Sequence, residues 1–237
     1  SLEVQRGVVM EEFKQRCLNQ PYGDVGHLIR SLAYGVHPYR WPTIGKDLSH
    51  IEQATLEEVK TFFYRHYAPN NAVLAVTGNI SWDETVRLTE KWFAPIPRRE
   101  VPVRQLPQEP EQTEERRMTV ERNVPLDALF MAYHMCSRED ADYYAFDILS
   151  DILSNGRSSR LTRRLVQEQK IFSSIDAYIS GTRDAGLLFV NGKPAAGVSL
   201  EQAEDAVRRE LEELRQSFIG DQELEKVKNK FESTQIF

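Results

Sequence analysis

The apolar positions of the chain recur with helical spacing in several segments. Near the amino terminus, Val4, Val8 and Phe13 follow one another at about 3.6-residue intervals, the period of an amphipathic helix. Thr55 and Ser81 each precede a glutamate by three residues, which is the capping-box pattern that begins a helix. The pattern predicts helices at about 3–17, 55–66, 82–93, 140–153, 159–169 and 199–215, another in the tail from Asp221, and allows one at 27–34.

Short, nearly continuous apolar runs predict the strands. Residues 72–77 read Ala-Val-Leu-Ala-Val-Thr and stop at Gly78, which predicts a strand buried on both faces. The other predicted strands are 117–124, 129–135, 173–180 and 186–191. Because helices and strands are mixed without strict alternation, the sequence predicts an α+β fold with antiparallel sheets covered by helices on one face. The order strand, glycine, serine-capped helix occurs at 72–93 and again at 186–215, which hints at an internal duplication.

A proline-rich stretch interrupts these patterns. Residues 95–117 hold five prolines and many charges but almost no apolar periodicity, a composition typical of a linker. We therefore expect a first domain at 1–97, a linker at 98–117 and a second domain at 118–237. The chain begins without a methionine, already in helical pattern, and ends inside another helix-like run. We expect it to be a fragment of a longer protein.

The composition is that of an ordinary globular protein, with a formal net charge of -6. This acidic balance argues against a nucleic-acid partner, because contacts with phosphates require a basic surface. No run of about 18 apolar residues occurs, so the sequence predicts no membrane-spanning helix. Cys17 and Cys136 have no partner at metal-ligand spacing, and their wide separation predicts free thiols. Free thiols favour the cytoplasm as the compartment but leave the periplasm open.

Motifs that carry chemistry are scarce. The chain has no glycine-rich phosphate loop, no Gly-x-Ser-x-Gly elbow and neither orientation of the two-histidine zinc motif. Its five histidines are scattered singly, and zinc needs three or four converging nitrogen, oxygen or sulfur ligands. His134 and Cys136 share one face of a predicted strand. Without a second pair beside them, we interpret them as packing residues.

Several separate segments, in one order along the chain, carry a family resemblance. They are Gln5-Arg-Gly-Val-Val-Met-Glu-Glu12, His37-Pro-Tyr-Arg-Trp-Pro-Thr-Ile-Gly45, Tyr67-Ala-Pro-Asn-Asn71 with the Val73–Gly78 run, and the Ser-Ser-Arg-Leu helix start within Ser154–Leu165. In content and spacing they resemble the M16 metallopeptidases, the family of pitrilysin, insulysin and the mitochondrial processing peptidase. The resemblance covers nearly the whole chain.

The resemblance implies a bacterial-type zinc metalloendopeptidase built from M16 metallohydrolase-type domains, with peptides or unfolded proteins as substrates. Glu12 matches the distal zinc ligand of the family, and the His-x-x-Glu-His motif with the other ligands and the general base is expected upstream of this chain. The alternative for Glu11 and Glu12 is a solvated helix face, but the surrounding match favours Glu12 as a ligand. No catalytic residue is expected within the chain, which alone should neither bind zinc tightly nor hydrolyse peptides.

Two departures from the family pattern leave a second interpretation open. Gln5 stands seven residues before Glu12, on the same helix face, where family members usually carry a glutamate. A glutamine there can hydrogen-bond to a ligand but cannot ionise. Active members also carry an arginine and a tyrosine at the positions that align with Val166 and Ser173.

The alternative is therefore a non-catalytic M16-like subunit, a structural or substrate-presenting partner of an active protease. A dimer of unlike subunits would reconcile the peptidase interpretation with the subunit interpretation. This chain would supply a metal ligand, and its partner would supply the arginine and tyrosine. A third possibility, an unrelated α+β binding domain, would require the agreement of motifs to be chance.

Overall fold

In the computed structural model of the protein, residues 2–236 are described, and they form eight α-helices and three β-strands. The helices are α1 (Leu2–Phe13), α2 (Val25–Ala33), α3 (Leu48–Gln53), α4 (Leu56–His66), α5 (Trp82–Phe93), α6 (Tyr143–Ser154), α7 (Leu200–Gln216) and α8 (Asp221–Ile236). The strands are β1 (Leu129–His134), β2 (Phe172–Ser180) and β3 (Leu187–Pro194). Two π-helical segments, Lys14–Leu18 and Thr162–Glu168, form the later parts of the predicted helices 3–17 and 159–169. Residues 1 and 237, the outer ends of the two predicted domains, lie outside the described residues.

The helix starts predicted from capping patterns are confirmed. The Thr55 hydroxyl accepts a hydrogen bond from the Glu58 N–H at 3.2 Å, and the Glu58 carboxylate accepts one from the Thr55 N–H at 2.7 Å. The Ser81 hydroxyl also accepts from the Glu84 N–H, but the Glu84 carboxylate binds Arg87 instead of returning to the cap. Caps of this kind satisfy N–H groups that have no partner within the helix.

The three strands form one antiparallel sheet with the order β1-β3-β2. Val190 of the central strand stands opposite Met131 on one side and Ala177 on the other. The predicted strands 129–135, 173–180 and 186–191 are thus confirmed, and with them the α+β class. None of the helices in residues 2–236 combines the length and apolar character needed to cross a bilayer.

Helices contact both faces of the sheet. Val190 belongs to a buried cluster with Leu153, Leu165 and Val207, which lie in α6, the π-helical segment Thr162–Glu168 and α7. The preceding residue of the strand, Phe189, points to the opposite face. There it packs against α2 and the residues that follow it. The sequence predicted helices on one face only, because α2 lies in a stretch rich in Pro and Gly that obscured its contribution.

Two predicted strands are wrong. Residues 72–77 and 117–124 belong to no strand, and Val73 is 98% exposed instead of being buried on both faces. The apolar sides of α4 and α5 nearby are exposed as well, including Phe62 and Trp82. A strand exists only as part of a hydrogen-bonded ladder, and no segment of residues 2–236 pairs with either run. An apolar pattern therefore predicts a strand correctly only where a partner strand lies beside it.

The Pro-rich segment (98–117) has no helix or strand, but it is hydrogen-bonded to distant parts of the chain. The Glu109 carboxylate accepts hydrogen bonds from three consecutive backbone N–H groups of residues 35–37, at 2.6, 3.0 and 2.9 Å. Arg104 forms an ion pair with Asp184, in the turn between β2 and β3. The segment is thereby fixed both to the loop after α2 and to the sheet. The predicted division into two domains and a linker stays a prediction.

Candidate functional site

Helix α1 carries the candidate zinc ligand on a face that no other element covers. Phe13 is 5% exposed, and Arg6 and Met10 on the same side of the helix are partly buried. The opposite side presents Val4, Gln5, Val8, Val9 and Glu12 to solvent or leaves them half-buried. Because Gln5 and Glu12 are seven residues apart within one helix, they lie on the same face, close to two turns from each other.

The Glu12 carboxylate is accessible and only loosely engaged. Its Oε1 lies 2.9 Å from Arg16 Nη2, and its side chain is 43% exposed. An exposed ion pair one helical turn apart contributes only about 0.3–0.5 kcal/mol, so a stronger partner can displace Arg16. The geometry leaves the Glu12 carboxylate free to bind a cation on the exposed face of α1.

The orientation of α1 is held from its opposite face. Arg6 Nη1 donates a hydrogen bond to the Ile51 carbonyl at 3.0 Å and another to the Glu52 carbonyl. These two carbonyls belong to α3, which packs against α1. Arg6 thus holds one side of α1 against α3, and the opposite side of the helix stays exposed to solvent.

The residues that the structure describes do not assemble a complete metal site by themselves. No group of three or more His, Cys, Asp or Glu side chains converges within 2–236. His27 and His134 are each engaged with a backbone carbonyl at 2.8 Å, those of Gly45 and Ala33. Burial raises the pKa of the Cys136 thiol, which disfavours the thiolate that a metal binds. Among residues 2–236, Glu12 therefore offers a metal a single accessible carboxylate.

Val166 and Ser173, the positions aligned with the family's arginine and tyrosine, contact other parts of the fold. Val166 packs against the buried cluster beneath the sheet, and the Ser173 hydroxyl donates to the Lys193 carbonyl at 3.0 Å. The nearby Arg164 is committed to Glu210 at 2.8 Å and to a second carboxylate of α7. No arginine–tyrosine pair is formed at this place.

A cavity of about 420 Å³, which no sequence pattern predicted, lies between α2 and the face of the sheet that α2 contacts. Its walls include Tyr22, Arg30, Phe130, Tyr178, Phe189 and Asn191. Alternation along β2 and β3 places Tyr178, Phe189 and Asn191 on one face of the sheet, and this part of the wall could have been predicted from the two strands. Nothing in the sequence connects them to Tyr22 and Arg30, which lie more than a hundred residues earlier.

Comparisons with known proteins agree on one family. Residues 53–231 match a family model described as Peptidase M16 inactive domain. A Helicobacter pylori protein named zinc protease PqqE is 29% identical over 94% of this chain and 51% of its own length. An uncharacterized zinc protease of Bacillus subtilis, YmxG, is 24% identical over 98% of this chain and 55% of its own.

Among solved structures, a protease from Helicobacter pylori superposes with a TM-score of 0.90 at 27% identity. That match covers 99% of this chain and 57% of the other. The chain thus spans about half the length of the curated relatives it matches. Gln5 and Glu12 precede the range of the family model, and Val166 and Ser173 lie inside it.

Proposed function

The chain belongs to the M16 peptidase family, and from this membership we propose that it is part of a zinc-dependent metalloendopeptidase to which Glu12 contributes one metal ligand. The observation that supports the proposal best is the accessible Glu12 carboxylate on the uncovered face of α1. The names of the curated relatives, zinc proteases, agree with it. The remaining ligands and the general base would come from a His-x-x-Glu-His motif, which this chain does not contain.

Two residues of the exposed face, Glu12 and Gln5, have a role in this proposal. The Glu12 carboxylate would hold the metal, and Arg16 would move away from it. Gln5 would offer an amide N–H and a carbonyl oxygen two turns away, without the negative charge of a glutamate. Zinc, when bound, supplies a Lewis acid for the carbonyl of the scissile peptide bond. Peptides and unfolded proteins are the substrates we propose.

Substitution of each of the two adjacent glutamates in turn tests the assignment. The substitutions are made in the protein encoded by the complete open reading frame. Glu12→Gln removes one zinc ligand, so we expect zinc content to fall well below one ion per chain and peptide hydrolysis to drop by about 100-fold or more. Glu11→Gln is the matched control, because Glu11 is exposed on the same helix and should leave both values unchanged. Metal content is read by elemental analysis independently of activity.

The proposal fails if Glu12→Gln keeps its zinc, or if Glu11→Gln loses it instead. The 237-residue chain alone serves as a second control. It should show no EDTA-sensitive peptide cleavage, because a single carboxylate does not make a metal site.

Three residues favour a second candidate function, a non-catalytic M16-like subunit. Gln5 lacks the charge of the usual glutamate, and Val166 and Ser173 replace the arginine and tyrosine that contact substrate in active members. The same hydrolysis assay separates the candidates. Activity that appears only after a second M16 chain bearing the arginine and tyrosine is added supports the subunit role, and activity of the protein alone supports the peptidase.

A further inference from the structure

The cavity between α2 and the sheet has the size and lining of a ligand site. Its volume of about 420 Å³ lies within the range of small-molecule and peptide-end pockets. Four aromatic rings form much of its wall, those of Tyr22, Phe130, Tyr178 and Phe189. Pockets of this kind combine an apolar lining with a few polar groups that orient the ligand.

The aromatic walls are held in place before any ligand arrives. Tyr178 stacks on Phe189 with ring centroids 5.1 Å apart, and Tyr22 lies 6.1 Å from Phe130. The Tyr22 backbone has φ of +62°, an uncommon conformation for a tyrosine, and its hydroxyl donates to the Leu126 carbonyl at 2.6 Å. A backbone of this type persists only where its surroundings fix it. The ring of Tyr22 is therefore a rigid part of the wall.

One polar atom in the wall lacks a partner. Asn191 Nδ2 donates a hydrogen bond to the Tyr178 hydroxyl oxygen at 3.2 Å. Its Oδ1 is buried and accepts no hydrogen bond from any of residues 2–236. Because this oxygen has no accessible surface, a ligand N–H reaches it only if the Asn191 amide turns toward the cavity. That contact would recover the free energy that a buried acceptor without a donor costs.

The charge beside the cavity is positive. Arg30 is half-buried in the wall, and its Nη1 donates a long hydrogen bond to the Tyr39 carbonyl at 3.5 Å. Within residues 2–236 no carboxylate forms an ion pair with it. Lys193 Nζ lies 5.0 Å from the Tyr22 ring centroid. Asp24, the closest acidic residue to Arg30 along the chain, is already paired with Arg122 at 2.9 Å. Asp176, which stands opposite Asn191 in the sheet, accepts a hydrogen bond from the Ser154 hydroxyl at 3.0 Å. The cavity therefore favours an anionic group.

We propose that this cavity binds the carboxyl-terminal end of a peptide. Arg30 would pair with the terminal carboxylate, the aromatic wall would contact the last side chain, and Asn191 Oδ1 would accept a backbone N–H. The choice of a peptide as ligand rests on the proposed function. The recognition itself requires neither zinc nor Glu12, because all of its groups lie in α2, the turn before it and the sheet.

Binding of two matched probes to the zinc-free 237-residue chain tests the proposal. The probes are acetyl-Ala-Ala-Phe with a free carboxylate and the same peptide with a carboxyl-terminal amide, titrated by calorimetry. We expect the amide to bind about tenfold more weakly, the loss typical of a charge-assisted hydrogen bond. Because no catalysis is measured, failure of the peptidase assignment would leave this result untouched.

Four variants locate the binding. Arg30→Gln should lower the affinity for the free acid about tenfold and abolish the preference over the amide, and Arg30→Lys should keep that preference. Asn191→Leu should weaken both probes alike. Arg163→Gln is the control, since Arg163 lies on the π-helical segment at the other face of the sheet and should change nothing. Circular dichroism confirms that each variant is folded.

Undetectable binding of both probes, equal affinity for acid and amide, or a preference that survives in Arg30→Gln would each overturn the proposal. An equal loss in Arg163→Gln would overturn it as well, because it would indicate a general effect of charge.

Discussion

At the scale of single residues, the turn that carries Tyr22 depends on the glycine that follows it. A Cβ atom added to Gly23 would lie 2.7 Å from the Arg16 carbonyl oxygen and 3.0 Å from the Cys17 carbonyl carbon. Both of these atoms are backbone, so they cannot rotate away as the end of a side chain could. Gly23 therefore permits the turn to close tightly on the end of the first helix.

We expect Gly23→Ala to lower the free energy of unfolding by about 1–3 kcal/mol, the usual cost of forcing an extra carbon into a filled space. Thermal unfolding followed by circular dichroism measures the change. Gly7→Ala is the control, because nothing lies within 4 Å of its added Cβ. In the middle of α1 it should raise stability by about 0.5–1 kcal/mol. Equal melting temperatures for the two variants would contradict this account.

At the scale of elements, α7 is the helix whose polar contacts depend most clearly on pH. Its buried side holds Ala203, Ala206 and Val207 against the sheet. On its other side, Glu204 accepts hydrogen bonds from Arg117, at the end of the Pro-rich segment, and from Arg208. These bonds, with that from Arg117 the largest influence, lower the pKa of Glu204 to about 2. Burial opposes the shift but does not cancel it.

The contribution of Glu204 should disappear in acid. Below its ordinary value of 4.5 the unfolded chain binds a proton at Glu204, but the folded protein does not until about pH 2. Stability from this residue is therefore complete above pH 4.5 and is lost as the pH falls toward 2. Because its arginine partners are partly exposed to solvent, we expect Glu204→Gln to cost only about 1 kcal/mol at pH 7.

Urea unfolding at several pH values measures this difference, which should vanish near pH 2. Glu225→Gln is the matched control, because Glu225 pairs with Lys228 one turn along the exposed side of α8 at 3.2 Å. A difference between wild type and Glu204→Gln that stays constant with pH would exclude the ion pair as its cause.

The elements differ in how well the sequence predicts them, and the reason is local. Helices with a capping motif and an apolar period, such as α4 and α7, are predicted closely. Both of these patterns lie within the helix or within a few residues of it. The run at 72–77 carries an equally clear signal, but a strand depends on a neighbour that the local sequence cannot specify. Glu12 could be proposed as a ligand because its motif is contiguous, whereas the cavity joins residues that only folding brings together.

At the scale of the whole molecule, an unpaired apolar run is exposed beside two apolar helix faces. Residues 72–77 lie next to α4 and α5 in sequence, and Val73, Phe62 and Trp82 are all more than half exposed. An exposed extended run with free backbone groups invites pairing with another chain. The isolated 237-residue chain should therefore self-associate.

We expect sedimentation coefficients that rise with protein concentration, and Val73→Lys should reduce this rise because a charge in the run opposes strand pairing. Phe218→Lys is the control, since Phe218 is fully exposed but lies outside the run, between α7 and α8. Monomeric behaviour of the unmodified chain at all concentrations, or an equal effect of both substitutions, would contradict the expectation.

The contacts of the Pro-rich segment constrain its length. Burial alone would raise the pKa of Glu109, but the N–H groups of residues 35–37 outweigh it and hold that pKa below its usual range. Only four residues separate Glu109 from Arg104, whose partner Asp184 sits at the turn of the sheet. An insertion or deletion between these two residues would pull one of them out of register with its partner. The two anchors therefore constrain the number of residues that lie between them.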